Sequence, residues 1–273
     1  MSAAEPRKRR AWVAGLLNAT NLGLGFLYLG KPYWAFATLL AMLALTGAFG
    51  WSRLVLFPAG FFALLLAMLC VWAGSIVVAV LAARRLAPAT LAPFQRWYVY
   101  LGYFVLSILT FKGLMESRSV IFGYEPFRFH SASMERTLVP GDYFMSNTWK
   151  FRSRGPERGE LVIFIHPGDR SLKYVMRVIG LPGEIVRIQG RQVRVNGSVL
   201  SEPYLDPANN QGLSSPGAGE FRIPDASYFV LGDNRDNSSD SRAWGFVPRQ
   251  NLLGSVEYIW YSRDADRIGL KVR

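Results

Sequence analysis

From Ala11 to Met115 the chain carries no acidic residue, while nearly all of its 19 Asp and Glu lie beyond that stretch. A hundred residues without a carboxylate, built of long apolar runs, fit a bilayer; the acid-bearing remainder fits water. The expected architecture is therefore a membrane region followed by one soluble domain, divided at 1–119 and 120–273. The formal charge of +12 could suggest a nucleic-acid partner. However, the basic residues are scattered, lie in no stripe, and flank apolar segments, so orientation in a membrane is the better reading and no nucleic acid is expected. Cys70 is the only cysteine. It sits in an apolar run as a small hydrophobe, and it leaves no intrachain disulfide or zinc site to build.

Four apolar segments organise the first part. The basic run RKRR at 7–10 precedes segment 11–30, as it would in a cleavable leader. Three more apolar segments follow, however, and no small-x-small site closes the first. Segment 11–30 is interrupted by Asn18, Thr20, Asn21 and four glycines, whereas 33–50, 59–83 and 97–115 are long and nearly uncharged. Lys112 lies near the end of the last one, where a lysine can snorkel. If all four segments cross, Arg84, Arg85 and Arg96 fall outside and the C-terminal domain stays inside. If segment 11–30 is interfacial or re-entrant, Lys31, Arg84, Arg85 and Arg96 fall inside, and residues 120–273 lie outside. The second arrangement obeys the positive-inside rule better, so three spanning helices are expected. A transporter or channel is disfavoured by the lack of intramembrane acids.

Beyond residue 120 the pattern becomes short β-branched runs between turns. Residues 160–184 read as two strands around a Pro-Gly-Asp turn, with His166 opposite Leu172. Residues 184–200 read as a hairpin turning at Asn196-Gly197. The stretch 206–219 reads as a mobile surface loop, 226–248 as a strand followed by a long polar loop, and 252–262 as a final strand. The fold class is thus a helical membrane region followed by a mainly antiparallel β extracytoplasmic domain.

The chemistry-bearing stretch is FHSASMERTLVPGD, residues 129–142, with two serines and a histidine. There is no G-x-S-x-G elbow, and Arg136 stands where an S-x-x-K motif would need lysine. A serine nucleophile needs a base. The only histidines are His130 and His166, and an extended 129–133 would turn His130 and Ser133 to opposite faces. Asp233, Asp236 and Asp240 lack the spacing of a calcium loop and read as a hydrogen-bonded turn cluster.

Three blocks, SASMERTLVPGD, YVMRVIGLPGE and GDNRDNSSDSRAWGFVP, resemble bacterial type I signal peptidase in order and position, over roughly residues 127–262. The resemblance implies a membrane-bound serine endopeptidase of the inner (cytoplasmic) membrane that removes signal peptides from exported preproteins. It implies a multi-pass chain with its C-terminal domain on the periplasmic side. Its partners would be signal peptides with small residues before the cleavage point, together with the lipid bilayer; no cofactor or metal is implied, and oligomeric state stays open. By the same resemblance Ser133 is the nucleophile and Ser131 an oxyanion-hole donor beside the Ser133 N–H. Met134 packs near the substrate pocket, Ser238 and Asp240 orient the base, and Arg242 pairs with Asp240. Two positions depart from the family pattern. Arg136 replaces a proline, which loosens the turn beside the nucleophile. Met176 occupies the position of the base lysine, and a thioether cannot accept the serine proton. Arg177 stays protonated and is excluded as a base. The substitutes are Lys173, on the opposite strand face from Met176 unless a bulge intervenes, His130, or His166 at roughly 13 Å along the ladder. The alternative is a non-catalytic signal-peptide or preprotein binder that has lost the general base.

Overall fold

The computed structural model describes residues 8–88, 95–212 and 218–272. Within the expected loop 206–219, residues 213–217 lie outside the described residues, as does Arg7 of the basic tail. The chain divides into two compact units. One comprises residues up to Val55 together with Ala59–Phe122, and the other comprises Leu56–Pro58 with the chain from Gly123 onward.

In the first unit the glycine- and asparagine-broken segment forms two short helices, α1 (Ala11–Thr20) and α2 (Leu24–Tyr28). Ten residues span roughly 15 Å, too little to cross a hydrocarbon core. The break falls at Gly23, whose φ of +99° suits glycine alone and where a Cβ would meet the Tyr103 hydroxyl at 2.2 Å. Backbone groups freed by the break are taken up by side chains, as apolar surroundings require. The Asn18 carbonyl accepts the Gly25 N–H at 2.8 Å while its amide donates to Ser75 O at 3.0 Å. The Tyr103 hydroxyl lies 2.8 Å from both Leu22 O and Ala35 O, and the Gln95 amide donates to Tyr28 O at 2.8 Å. Among the described residues, three helices are long and apolar enough to cross a membrane: α3 (Pro32–Trp51), α4 (Pro58–Arg85) and α5 (Trp97–Glu116), with mean hydropathies of 1.5, 2.7 and 1.4. Leu40, Leu66, Leu69, Val77 and Leu109 remain exposed on them, the pattern of helices that are apolar all round.

The second unit is antiparallel β. Its strands are β1 (Tyr124–Arg128), β2 (Tyr143–Asn147), β3 (Leu161–Ile165), β4 (Lys173–Gly180), β5 (Ile185–Gln189), β6 (Gln192–Val195), β7 (Ser198–Val199), β8 (Gly219–Arg222), β9 (Ser227–Leu231), β10 (Val247–Pro248) and β11 (Leu252–Tyr261). They form a seven-stranded sheet ordered β1-β2-β11-β3-β4-β9-β10 and a four-stranded sheet ordered β7-β6-β5-β8. The Pro-Gly-Asp turn sets the expected register: Ile165 pairs with Lys173, and the His166 N–H donates to Leu172 O. The Asn196-Gly197 turn joins β6 to the two-residue β7, whereas the longer β5–β6 hairpin turns one step earlier, at Gly190-Arg191.

Alternation on β3 and β4 feeds two separate cores. Leu161, Ile163 and Val175 pack with Phe129, Met134, Leu138 and Phe144 on one face. Val162, Phe164, Met176 and Val178 pack with Tyr228, Val230 and Val247 on the other. β9 pairs β4 only from Arg177 to Gly180. Among the described residues, Lys173–Met176 therefore keep one strand edge unpaired.

Asn18→Ala removes both hydrogen bonds that tie α1 to α2 and α4. It is expected to destabilise the protein by about 1 kcal/mol, read as a lowered unfolding midpoint in detergent.

Candidate active site

After β1 ends at Arg128, the chain bends at Ala132 and residues 133–137 form turns. Phe129 still pairs with the chain at Gly141 and Asp142, and the backbone leaves its extended path at Ala132. The alternation assumed for 129–133 therefore fails. His130 and Ser133 both line one cleft of about 410 Å³, together with Ser131, Lys173 and Met176. A larger groove of about 630 Å³, lined in part by Phe151, Arg152 and Arg249, contains none of the expected site residues.

Ser133 is buried, and its N–H donates to Ser131 Oγ at 3.1 Å. The two expected oxyanion donors are thus bonded to one another in this state. The turn is stapled to the polar block: the Asn234 N–H donates to Ser133 O at 2.9 Å, and the Asn234 amide donates to Ala132 O and Glu135 Oε2, each at 3.1 Å. Met134 is fully buried, and its sulfur accepts the Asp233 N–H at 3.4 Å. Gly232 is required at the contact, since a Cβ there would meet Ser238 Oγ at 2.3 Å and Ser133 O at 2.5 Å.

Arg136 does not loosen this turn. Its φ is +78°, a left-handed conformation that proline cannot reach, and its guanidinium donates to Leu205 O at 3.1 Å. Arg267 in turn donates to Arg136 O and Thr137 O. The turn is pinned from three sides.

Asp240 and Arg242 pair as expected, at 2.8 Å and 2.9 Å, and Asp240 Oδ2 also accepts the Gly232 N–H. Arg242 further donates to Arg235 O at 2.7 Å, so this pair braces the loop. The Ser238 hydroxyl is buried without a hydrogen-bond partner among the described residues. The other aspartates of the turn cluster are occupied too: Asp236 accepts the N–H groups of Gln211 and Gly212.

Asp233 meets Arg177 in an ion pair of 2.8 Å and 2.6 Å, both side chains only 1% exposed. Thr137 donates to the same carboxylate, Arg177 also donates to Gly159 O, and the guanidinium lies 3.8 Å from the Tyr204 ring centroid. Burial first, and then Glu202, push the Tyr204 phenol above its ordinary range; it donates to Glu202, which is ion-paired with Arg235. Sequence reasoning missed Asp233, Thr137, Tyr204, Glu202 and Arg235. One signal was available: an arginine inside the apolar strand YVMRVIG needs a buried counter-charge.

The possible proton acceptors differ sharply in setting. Met176 is 2% exposed in its apolar cluster and has no basic lone pair to offer. Lys173 shares its strand face with Val175 and Arg177; it is half-exposed, ion-paired with Glu125 at 3.6 Å, and lies 5.3 Å over the Phe127 ring. His166 stands apart from the cleft. Its Nδ1 accepts the N–H groups of Gly168 and Asp169, and its ring packs on Tyr174 and Trp244. His130 is exposed within the cleft itself.

Comparison with known proteins decides the family. The profile described as "Signal peptidase, peptidase S26" matches residues 101–261, more than half of the chain. The chain belongs to the signal peptidase family. Over 134 residues it is 45% identical to a probable signal peptidase I-2 of Synechocystis sp., covering 45% of this chain and 57% of that one. Over 184 residues it is 31% identical to signal peptidase I of Pseudomonas fluorescens, covering 50% and 65%. Its match therefore spans less than two thirds of either relative. A crystal structure of a signal peptidase I from Enterococcus faecalis matches 37% of this chain and 97% of its own, at 34% identity and a TM-score of 0.32. As a signal peptidase family member, the chain keeps the serine pair and the polar block of its resemblance, with methionine at residue 176.

Asp233→Ala would leave Arg177 buried and unpaired. It is expected to cost about 3–5 kcal/mol, measured by urea unfolding followed through tryptophan fluorescence.

Proposed function

We propose that this chain is a membrane-bound serine endopeptidase that removes signal peptides from exported preproteins, with Ser133 as nucleophile. The observation that carries this reading is the cleft itself. It holds Ser131 and Ser133 beside the unpaired edge of β4 at Lys173–Met176. An extended peptide can add a strand along that edge, its alternate side chains entering the apolar pocket formed by Phe129, Phe144, Ile163 and Val175. A pocket of that kind suits the small residues expected before the cleavage point.

In this mechanism Ser133 Oγ attacks the scissile carbonyl, and the developing oxyanion takes donors from the Ser131 hydroxyl and the Ser133 N–H. Their mutual hydrogen bond must open first, since donors aimed at the oxyanion act only when free to reach it. Arg177–Asp233 and Asp240–Arg242 hold the turn and polar block together and touch no substrate. The membrane region, taken as residues 1–119, would anchor the chain in a bacterial inner membrane by three crossings. Lys31, Arg84, Arg85 and Arg96 on the cytoplasmic side would place the β domain outside.

A second reading has its own support. Met176 supplies no proton acceptor, and the Ser238 hydroxyl is left without a partner; both suit a signal-peptide binder that has lost its chemistry.

Incubating purified full-length protein in liposomes with a preprotein separates the two. The endopeptidase reading expects cleavage by the native chain, lowered by a factor on the order of 10⁴ or more in Ser133→Ala. Binding without cleavage, with cleavage gained in Met176→Lys, would establish the binder instead.

A further inference from the structure

The endopeptidase reading needs a group that takes the Ser133 proton, and the family position for it is a methionine. Among the described residues, few of the groups lining the cleft around Ser133 are basic enough to take its proton. No carboxylate lines it; its titratable or charged members are Arg128 and His130 at the end of β1, and Lys173 and Tyr174 on β4. Arg128 keeps its proton and lies over the Tyr143 ring. Lys173 is engaged by Glu125 as a cation, and an ammonium has three donors and no acceptor. Tyr174 shares the Met176 face of β4, where its ring packs on Phe164 and His166. Of these groups, only His130 has both an accepting nitrogen and no partner holding it among the described residues. Neutral imidazole is the side chain best matched to proton transfer near neutral pH.

From this placement we infer that His130 is the proton acceptor for Ser133, replacing the lysine that residue 176 lacks. The inference rests on the endopeptidase reading and supplies its missing half. Only Ser131 and Ala132 lie between His130 and Ser133, so their Cα atoms lie within roughly 11 Å at full extension and closer across the turn. That separation allows a direct hydrogen bond or one relayed by a single water. The turn at Ala132 is the enabling feature, because it brings both side chains into one cleft.

The step balances without any further reagent than water. As the Ser133 Oγ–carbon bond forms, the hydroxyl proton moves to the imidazole and the carbonyl electron pair moves onto oxygen. Collapse of the tetrahedral species breaks the C–N bond, and the imidazolium proton goes to the leaving amine. Water then attacks the ester while His130 takes its proton. The second collapse breaks the C–Oγ bond and returns that proton to Ser133.

The test uses the full chain in liposomes, a preprotein substrate, and the variant His130→Gly. His130 is exposed, so its removal leaves the core intact. His130→Gly is expected to lower kcat by roughly 10²–10⁴-fold, with partial recovery when free imidazole is added. Recovery by imidazole reports proton transfer, which a structural or substrate-contacting role would not produce. If the native chain cleaves and His130→Gly cleaves equally well, or falls with no recovery by imidazole, the inference is overturned and the endopeptidase reading stands. If the native chain leaves preprotein uncleaved, both fail together.

Discussion

The buried pair Arg177–Asp233 is the interaction on which the rest of the site depends. It joins the middle of β4 to the polar block 56 positions later in the chain, and through Thr137 it also holds the turn that carries Ser133. Two charges withdrawn from water are tolerable only when nearly every donor and acceptor is engaged. Here the carboxylate takes the guanidinium and the Thr137 hydroxyl, while the guanidinium also reaches Gly159 O and lies against Tyr204. The spacing between strand and turn is therefore set by this buried pair.

That arrangement explains how the chain can carry methionine at residue 176 and still assemble the site. Met176 belongs to the apolar cluster of Val162, Phe164, Val178 and Val230, on the sheet face opposite Val175 and Met134. Its thioether fills that slot, 2% exposed, while the turn, the polar block and the ion pair are held by other residues. The Ser238 hydroxyl beside Gly232 is buried without a partner among the described residues.

Much of this was legible locally. The Pro-Gly-Asp turn fixed the β3–β4 register, and period-two alternation then separated Lys173 from Met176. Glycine and asparagine in segment 11–30 marked the helix break at Gly23. The unread parts depend on tertiary contacts. Nothing local says that the chain turns at Ala132, because the staples responsible come from Asn234, about a hundred residues away. Arg136 looked like a loosened turn, yet its left-handed backbone is held by Leu205 and Arg267, which no spacing near residue 136 reveals. The partner of Arg177 was hidden in the same way: Asp233 reads as one polar residue among many until the strand and block are brought together.

The central claim is that an intact nucleophile turn faces an imidazole in place of the missing lysine. The most direct measurement is a crystal structure of the full chain with a peptide aldehyde ending in a small residue. The account expects a hemiacetal on Ser133 Oγ, its oxygen near Ser131, with a His130 ring nitrogen in hydrogen-bond reach directly or through one water. An adduct with His130 turned out of the cleft, or no adduct at all, would contradict it.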